Sequence, residues 1–275
     1  MKIIQKDQLA PTIVRFVVNA AHIAAKAEPG HFVIVRHKEM GERIPLTIAD
    51  FDRDAGTITL VCQGIGHSTG EINELTTGDS FLDILGPLGE PYPVKKLGTV
   101  VCVAGGLGVA PLYPKAKALA AAGNKVITLM GAQTKDMLIM TAEMEAISER
   151  VEYSTDDGSL GYKGFVTKLL QDVLETEAVD EVVVIGPLPM MAAAMDVTRP
   201  FGVPSIVSLN TLMVDGTGMC GGCRVTVDGQ TKFACVDGPA FDGHAVNFKE
   251  ILQRQPFYKD QERKALHTCR LEEVI

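Results

Sequence analysis

The chain has 275 residues, a net charge of −8, 46% hydrophobic residues and 22% charged residues. That composition describes a globular chain long enough for two domains and a small appendage, and it argues against a disordered chain or a basic nucleic-acid binder. No run of about 18 apolar residues offers a membrane span, and the opening MKIIQKDQLA lacks the apolar stretch of a signal peptide, so the expectation is a cytoplasmic protein with reduced thiols.

Residues 1–94 read as β-structure. The segments 12–19, 31–36, 44–50, 57–63 and 80–85 are short and rich in Val, Ile, Thr and Phe, with turn signals such as Pro29-Gly30, Thr77-Gly78-Asp79 and Gly86-Pro87 between them. Short strands at roughly ten-residue spacing predict an antiparallel β-barrel. Beyond residue 95 the texture changes to α/β. Apolar strands at 99–104, 125–130, 151–154, 181–185 and 204–209 alternate with helical segments at 111–122, 140–148, 166–174 and 189–198. Such alternation predicts a parallel sheet covered on both faces over residues 95–210. Residues 211–247 are rich in Gly and hold three of the six cysteines, and 248–275 form a charged, partly helical tail that reads as a docking arm.

The strongest local signal is Asp215-x4-Cys220-x2-Cys223-x11-Cys235. Plant-type ferredoxin loops space their ligands Cys-x4-Cys-x2-Cys with a fourth Cys further on; here Asp stands in the first place. The interspersed glycines suit a loop that must turn tightly and aim N–H groups at sulfur. Two alternatives stay open on local sequence: a structural zinc site completed by Asp215 or His244, and, less favoured, a redox disulfide between Cys220 and Cys223.

Further signals sit at turns. Arg43-Ile44-Pro45-Leu46-Thr47 places a guanidinium and a hydroxyl on one barrel strand, where Arg could pair with a pyrophosphate or simply end the strand at the surface. Gly64-Ile65-Gly66-His67-Ser68-Thr69-Gly70 precedes a helical pattern from Glu71; free N–H groups there form a phosphate site or an ordinary cap, with His67 a surface residue. Gly105-Gly106-x-Gly108-x-Ala110-Pro111 and Gly186-Pro187-Leu188-Pro189-Met190 both follow buried strands, where α/β sheets bind nucleotides. Each is also a plausible tight turn, and neither is a Gly-x-Gly-x-x-Gly fingerprint. A sixth loop carries Asp156 and Asp157, an acidic pair that is ordinarily just solvated.

The order of these signals resembles the ferredoxin–NADP reductase superfamily over roughly residues 1–210. The appended cysteine segment narrows the resemblance to its electron-transfer subunits. The resemblance implies an FAD-binding barrel (1–94), an NAD(H)-binding α/β domain (95–210), a [2Fe–2S] segment (211–247) and a tail (248–275) for partner docking. It implies that Arg43, Pro45, Leu46 and Thr47 contact FAD, with Thr47 near the flavin N5 as the catalytic contact. Gly66, Ser68 and Thr69 would lie at the pyrophosphate. Gly106, Gly108, Pro111, Asp157, Gly186 and Met190 would line the nicotinamide nucleotide, and Asp215, Cys220, Cys223 and Cys235 would hold the cluster. Pro45 and Ile185 depart from the plant-type pattern, which has a flavin-stacking Tyr and a Cys there. Asp in place of the first Cys is similar to the branch that couples NADH, NADP(H) and ferredoxin by electron bifurcation with a larger flavoprotein/iron–sulfur subunit. The electron-transfer subunit of class B dihydroorotate dehydrogenase is the alternative branch, and a zinc-stabilised or redox-sensing regulatory module is the alternative of another class. Asp156 and Asp157 favour NADH over NADPH by repelling a 2′-phosphate.

Overall fold

The computed structural model describes residues 1–254. Six antiparallel strands form the N-terminal body: β1 (Ile3–Ala10), β2 (Ile13–Asn19), β3 (Phe32–Arg36), β4 (Ile44–Asp52), β5 (Thr57–Gln63) and β6 (Asp83–Leu88), in the order β1-β2-β5-β4-β3-β6. The sheet rolls up because the chain start bonds to the segment that enters β6. Ile3 N donates to Asp79 O (2.8 Å) and Phe81 N to Met1 O (2.9 Å). Alternate side chains fill the interior, where Phe16 and Phe81 meet edge to face at 6.0 Å. The short helix α1 (Ala21–Ala24) follows β2, and α2 (His67–Glu74) follows β5.

β1 has no counterpart among the predicted strands. Only its ends are buried, so the polar run Gln5–Gln8 carries no period-two signal. β6 lies three residues later than predicted, because Gly86 and Pro87 continue the strand rather than end it. α2 begins at His67, not Glu71, since the glycine-rich run itself supplies the helix start.

The second body is a seven-stranded sheet. Its parallel strands are β7 (Thr99–Gly105), β8 (Lys125–Ala132), β9 (Arg150–Thr155), β10 (Tyr162–Lys163), β11 (Glu181–Ile185) and β12 (Ser205–Ser208). Between them run α3 (Val109–Ala121), α4 (Thr141–Ile147), α5 (Val166–Thr176) and α6 (Leu188–Thr198). The order β10-β9-β8-β7-β11-β12 means that the chain winds outward from β7 on one side, then returns to lay β11 on the other. α3 packs between this sheet and the barrel, whereas α5 and α6 cover the opposite face.

The cysteine segment is woven into both bodies. After a hairpin of β13 (Arg224–Val227) and β14 (Gln230–Phe233), β15 (Ala240–Asp242) pairs antiparallel with β12 as the seventh strand. Cys223, Val225, Cys235 and Phe241 share one core with α5, α6 and the barrel residues Phe32 and Ile34. α7 (Phe248–Arg254) closes the described chain, and the rest of the predicted docking tail lies outside the described residues. Among the described residues no helix is long and apolar enough to cross a membrane.

Candidate functional site

On β4, Leu46 and Ile48 point into the barrel, so Pro45, Thr47 and Ala49 face outward by strand alternation. Ala49 lies beneath α3, which places half-buried Thr47 at the mouth between the bodies. Arg43, just before β4, is exposed and makes no ion pair among the described residues. The α2 turn is drawn to this strand because the Ser68 hydroxyl donates to Glu42. The Thr69 hydroxyl accepts from Ile65 N (3.1 Å) and Gly66 N (3.0 Å), fixing the turn that opens α2. The structure thus gathers Arg43, Gly66, Ser68 and Thr69 at one place, beside a helix N-terminus suited to phosphate.

β7 and β11 are neighbours whose following connections diverge, so the crevice at their carboxyl ends is the topological switch point of the sheet. Gly106–Gly108 make a tight turn after β7, and Gly186-Pro187 follow β11. These turns interlock. A Cβ on Gly108 would fall 2.1 Å from Ile185 O, and one on Gly105 would fall 2.3 Å from the Met190 sulfur. Only glycine allows this approach, which leaves backbone rather than side chains to meet a ligand. Pro111 sits in the first turn of α3 at the same crevice.

Asp157 lies on the loop after β9, two strands away. Its Oδ1 accepts from Ser159 Oγ (2.6 Å) and Ser159 N (2.9 Å), and those bonds hold its carboxyl below the ordinary range. The same loop brings Lys163 against Gly158, and Lys135 N donates to Ser159 Oγ (2.8 Å). These contacts bring the Lys163 side chain and the Lys135 backbone, which comes from the loop after β8, to the acidic loop.

In the cysteine loop, Cys223 and Cys235 are buried with their sulfurs 3.2 Å apart, while Cys220 is exposed. Asp215 Oδ1 accepts from Thr217 N (2.9 Å) and Oδ2 from Cys220 N (2.8 Å); these bonds hold its carboxyl low. Burial, and then Cys223 beside it, push the Cys235 thiol up to about 12. Among the described residues no three such side chains draw together at metal-holding distance. The loop's chemistry nevertheless fits an iron–sulfur cluster. Gly222 N donates to Cys220 Sγ (3.4 Å) and Cys235 N to Cys223 Sγ (3.5 Å). Gly221 makes the first of these possible by a φ of 63°, a conformation that side chains disfavour. Such N–H groups stabilise thiolate sulfur, and a bound metal displaces the thiol protons. His244, the other candidate for a zinc site, is engaged elsewhere, with Nε2 2.8 Å from Thr198 Oγ1 on α6. The loop lies on the barrel: a Cβ on Gly216 would sit 2.9 Å from both Ile34 and Leu88.

Sequence reading missed Lys115. It is 1% exposed and reaches from α3 to the parallel sheet, where it donates to the Ser208 hydroxyl at the end of β12. Its Nζ lies 5.4 Å from the centre of the Tyr92 ring, whose hydroxyl donates to Glu181. Burial lowers the Lys115 pKa to about 8. In an Ala- and Leu-rich helix a Lys reads as surface, and nothing local reveals that the fold buries it.

A flavin-type barrel and a switch-point crevice, with a cysteine loop resting on both, define a reductase of the ferredoxin–NADP reductase class that carries its own iron–sulfur segment. Comparison with known proteins agrees. Residues 210–247 match the iron–sulfur cluster binding domain of dihydroorotate dehydrogenase B, and residues 102–196 the oxidoreductase NAD-binding domain. A dihydroorotate dehydrogenase B electron transfer subunit homolog of Thermotoga maritima is 46% identical over 95% of this chain and 93% of its own. The corresponding electron transfer subunit of Geobacillus thermodenitrificans is 33% identical over 88% of this chain and 95% of its own. A solved structure of an NADH-dependent reduced ferredoxin-NADP oxidoreductase, described for flavin-based electron bifurcation, superposes with a TM-score of 0.92. It is 44% identical and covers 97% of this chain and 96% of that one. The chain belongs to the family of dihydroorotate dehydrogenase B electron transfer subunits and their homologs, oxidoreductase subunits within the ferredoxin–NADP reductase superfamily.

Proposed function

We propose that this chain passes electrons between NAD(H), FAD and a [2Fe–2S] cluster as the smaller subunit of an NADH-dependent ferredoxin:NADP+ oxidoreductase. It would work in the cytoplasm with a larger flavoprotein/iron–sulfur subunit, which in turn serves ferredoxin. One observation carries the electron-transfer reading. Gly216 of the cysteine loop lies against Ile34, and Ile34 is the register partner of Pro45 in the flavin motif. The cluster loop is therefore one strand away from the flavin motif. The particular oxidoreductase is supported by the similarity to the bifurcating enzyme and by Asp215 in the place of a cysteine.

FAD, when bound, takes the two electrons of NADH as a hydride and releases them singly, so no protein acid–base pair is required. In this reading residues 1–94 hold FAD, 95–210 hold NAD(H) and 211–247 hold the cluster. Arg43, with the α2 turn at Gly66, Ser68 and Thr69, neutralises the pyrophosphate. Pro45 supports the ring, Leu46 meets it through its backbone alone because its side chain fills the barrel, and the Thr47 hydroxyl offers a hydrogen bond near N5. Gly106, Gly108, Pro111, Gly186 and Met190 shape the crevice for the nicotinamide half. Asp157 favours NADH by repelling a 2′-phosphate, whereas NADPH would have to draw on Lys163 and Ser159. The thiolates of Cys220, Cys223 and Cys235, with Asp215, hold the iron.

Anaerobic purification followed by visible and EPR spectra, before and after NADH, tests this reading. Flavin bands with a rhombic signal of a reduced cluster are expected. Flavin without iron, or a clear preference for NADPH, would refute the corresponding part. The family's naming favours a second reading, the dihydroorotate dehydrogenase electron-transfer subunit. Co-purification with a (β/α)8-barrel partner and reduction of the cluster by dihydroorotate would select it.

A further inference from the structure

The cysteine loop is gripped from outside by a residue that the electron-transfer reading does not use. Arg254, on the last turn of α7, donates from Nη1 to Arg224 O (2.6 Å) and from Nη2 to Gly222 O (3.1 Å). Those two carbonyls flank Cys223 in sequence. α7 is itself anchored. Ile251 is buried in the core shared with Cys223 and Cys235, the Thr226 hydroxyl donates to Glu250 (2.5 Å), and Asn247 N donates to Thr226 O (2.9 Å). Arg254 therefore belongs to a fixed scaffold.

Among the described residues its charge meets only one distant carboxylate. The nearest carboxylate oxygen among them, Glu250 Oε1, is 4.0 Å away, and the other Glu250 oxygen is taken by Thr226. Arg224 adds a weaker contact from Nη1 to Gly221 O (3.4 Å). Reducing a cluster by one electron adds a negative charge, and a cation held nearby favours that state. Hydrogen bonds to the loop carbonyls also polarise the loop's peptide groups.

We propose that Arg254 is a positioning residue for the iron–sulfur cluster, its guanidinium fixing the carbonyls on either side of Cys223 and raising the cluster's reduction potential by charge and geometry together. This rests on the reading of the loop as a [2Fe–2S] site. The side chain is about one-third exposed, so solvent screens the charge and the effect is about tenfold rather than larger.

The test is an EPR-monitored redox titration of the anaerobically purified full chain, as wild type, Arg254→Gln and Arg254→Lys, with iron content measured for each. At a fixed ambient potential, Arg254→Gln should lower the ratio of reduced to oxidised cluster about tenfold, equivalent to about 59 mV for a one-electron couple. Arg254→Lys, which keeps the charge but loses the fork, should lower it about threefold. A purely structural role would change thermal stability or iron content and leave the potential where it was. An iron-loaded Arg254→Gln with unchanged potential overturns the proposal and leaves the electron-transfer reading standing. If Arg254→Gln fails to hold iron, Arg254→Lys decides, and an unchanged potential there overturns the proposal. A wild-type chain without iron would overturn both.

Discussion

Replacing Lys115 by Met should stabilise the protein at neutral pH. Lys115 is 1% exposed, and burial brings its pKa from the ordinary 10.5 to about 8. That difference corresponds to roughly 3 kcal/mol against the charged form at pH 7. Met fills nearly the same volume with no charge, but it leaves the Ser208 hydroxyl without its donor, which costs about 1 kcal/mol. The net expectation is a gain of about 2 kcal/mol at pH 7. The pH dependence is the sharper signature. Between about 8 and 10.5 the unfolded Lys keeps its proton while the folded one loses it, so wild-type stability rises with pH through this window. The gap between variant and wild type should shrink to less than about 1 kcal/mol by pH 9.5. Burial raises the pKa values of the neighbouring Tyr92, Cys102 and Glu181, and the Lys115 charge holds those of Cys102 and Glu181 down in part, so these two rise further in the variant. Urea unfolding followed by circular dichroism at pH 7 and pH 9.5 measures both quantities. A variant less stable than wild type at pH 7, or a gap that does not narrow with pH, would refute the reasoning.

Gly108→Ala should cut NADH-dependent dye reduction at least tenfold, about 1.4 kcal/mol. The new methyl would lie 2.1 Å from Ile185 O and force apart the two turns of the crevice. Flavin content should survive, because the α2 turn is untouched; unaltered turnover would remove this crevice from the reaction. Asp215→Cys should still assemble a cluster, with a changed EPR signature and potential. Unchanged spectra would reduce Asp215 to the loop-organising role that its bonds to Thr217 and Cys220 already show.

Signals that live within ten residues were legible in the sequence. The glycine turns after β7 and β11 could be placed because a buried apolar run, a Gly cluster and a helix each declare themselves locally. What brings these turns together is the pairing of Val182–Ile185 with Val101–Ala104, about eighty residues apart, which no local pattern encodes. β15 was hidden for a related reason. Its three residues carry no periodicity, and only the free edge of β12 makes them a strand. Lys115 and Arg254 show the same limit for side chains. One looks like a surface lysine and the other like a tail charge until the parallel sheet and the cysteine loop close around them.

β15 in one sheet and Gly216 on the other body have a consequence for the life of the chain in a cell. A segment that fastens both halves makes iron delivery a condition of durability, since whatever binds only the native loop holds the whole structure by mass action. A polypeptide that has taken up its flavin but not its metal would be the more readily unfolded and cleared. Quality control of that kind removes the half-built species most able to accept electrons from NADH with nowhere proper to send them.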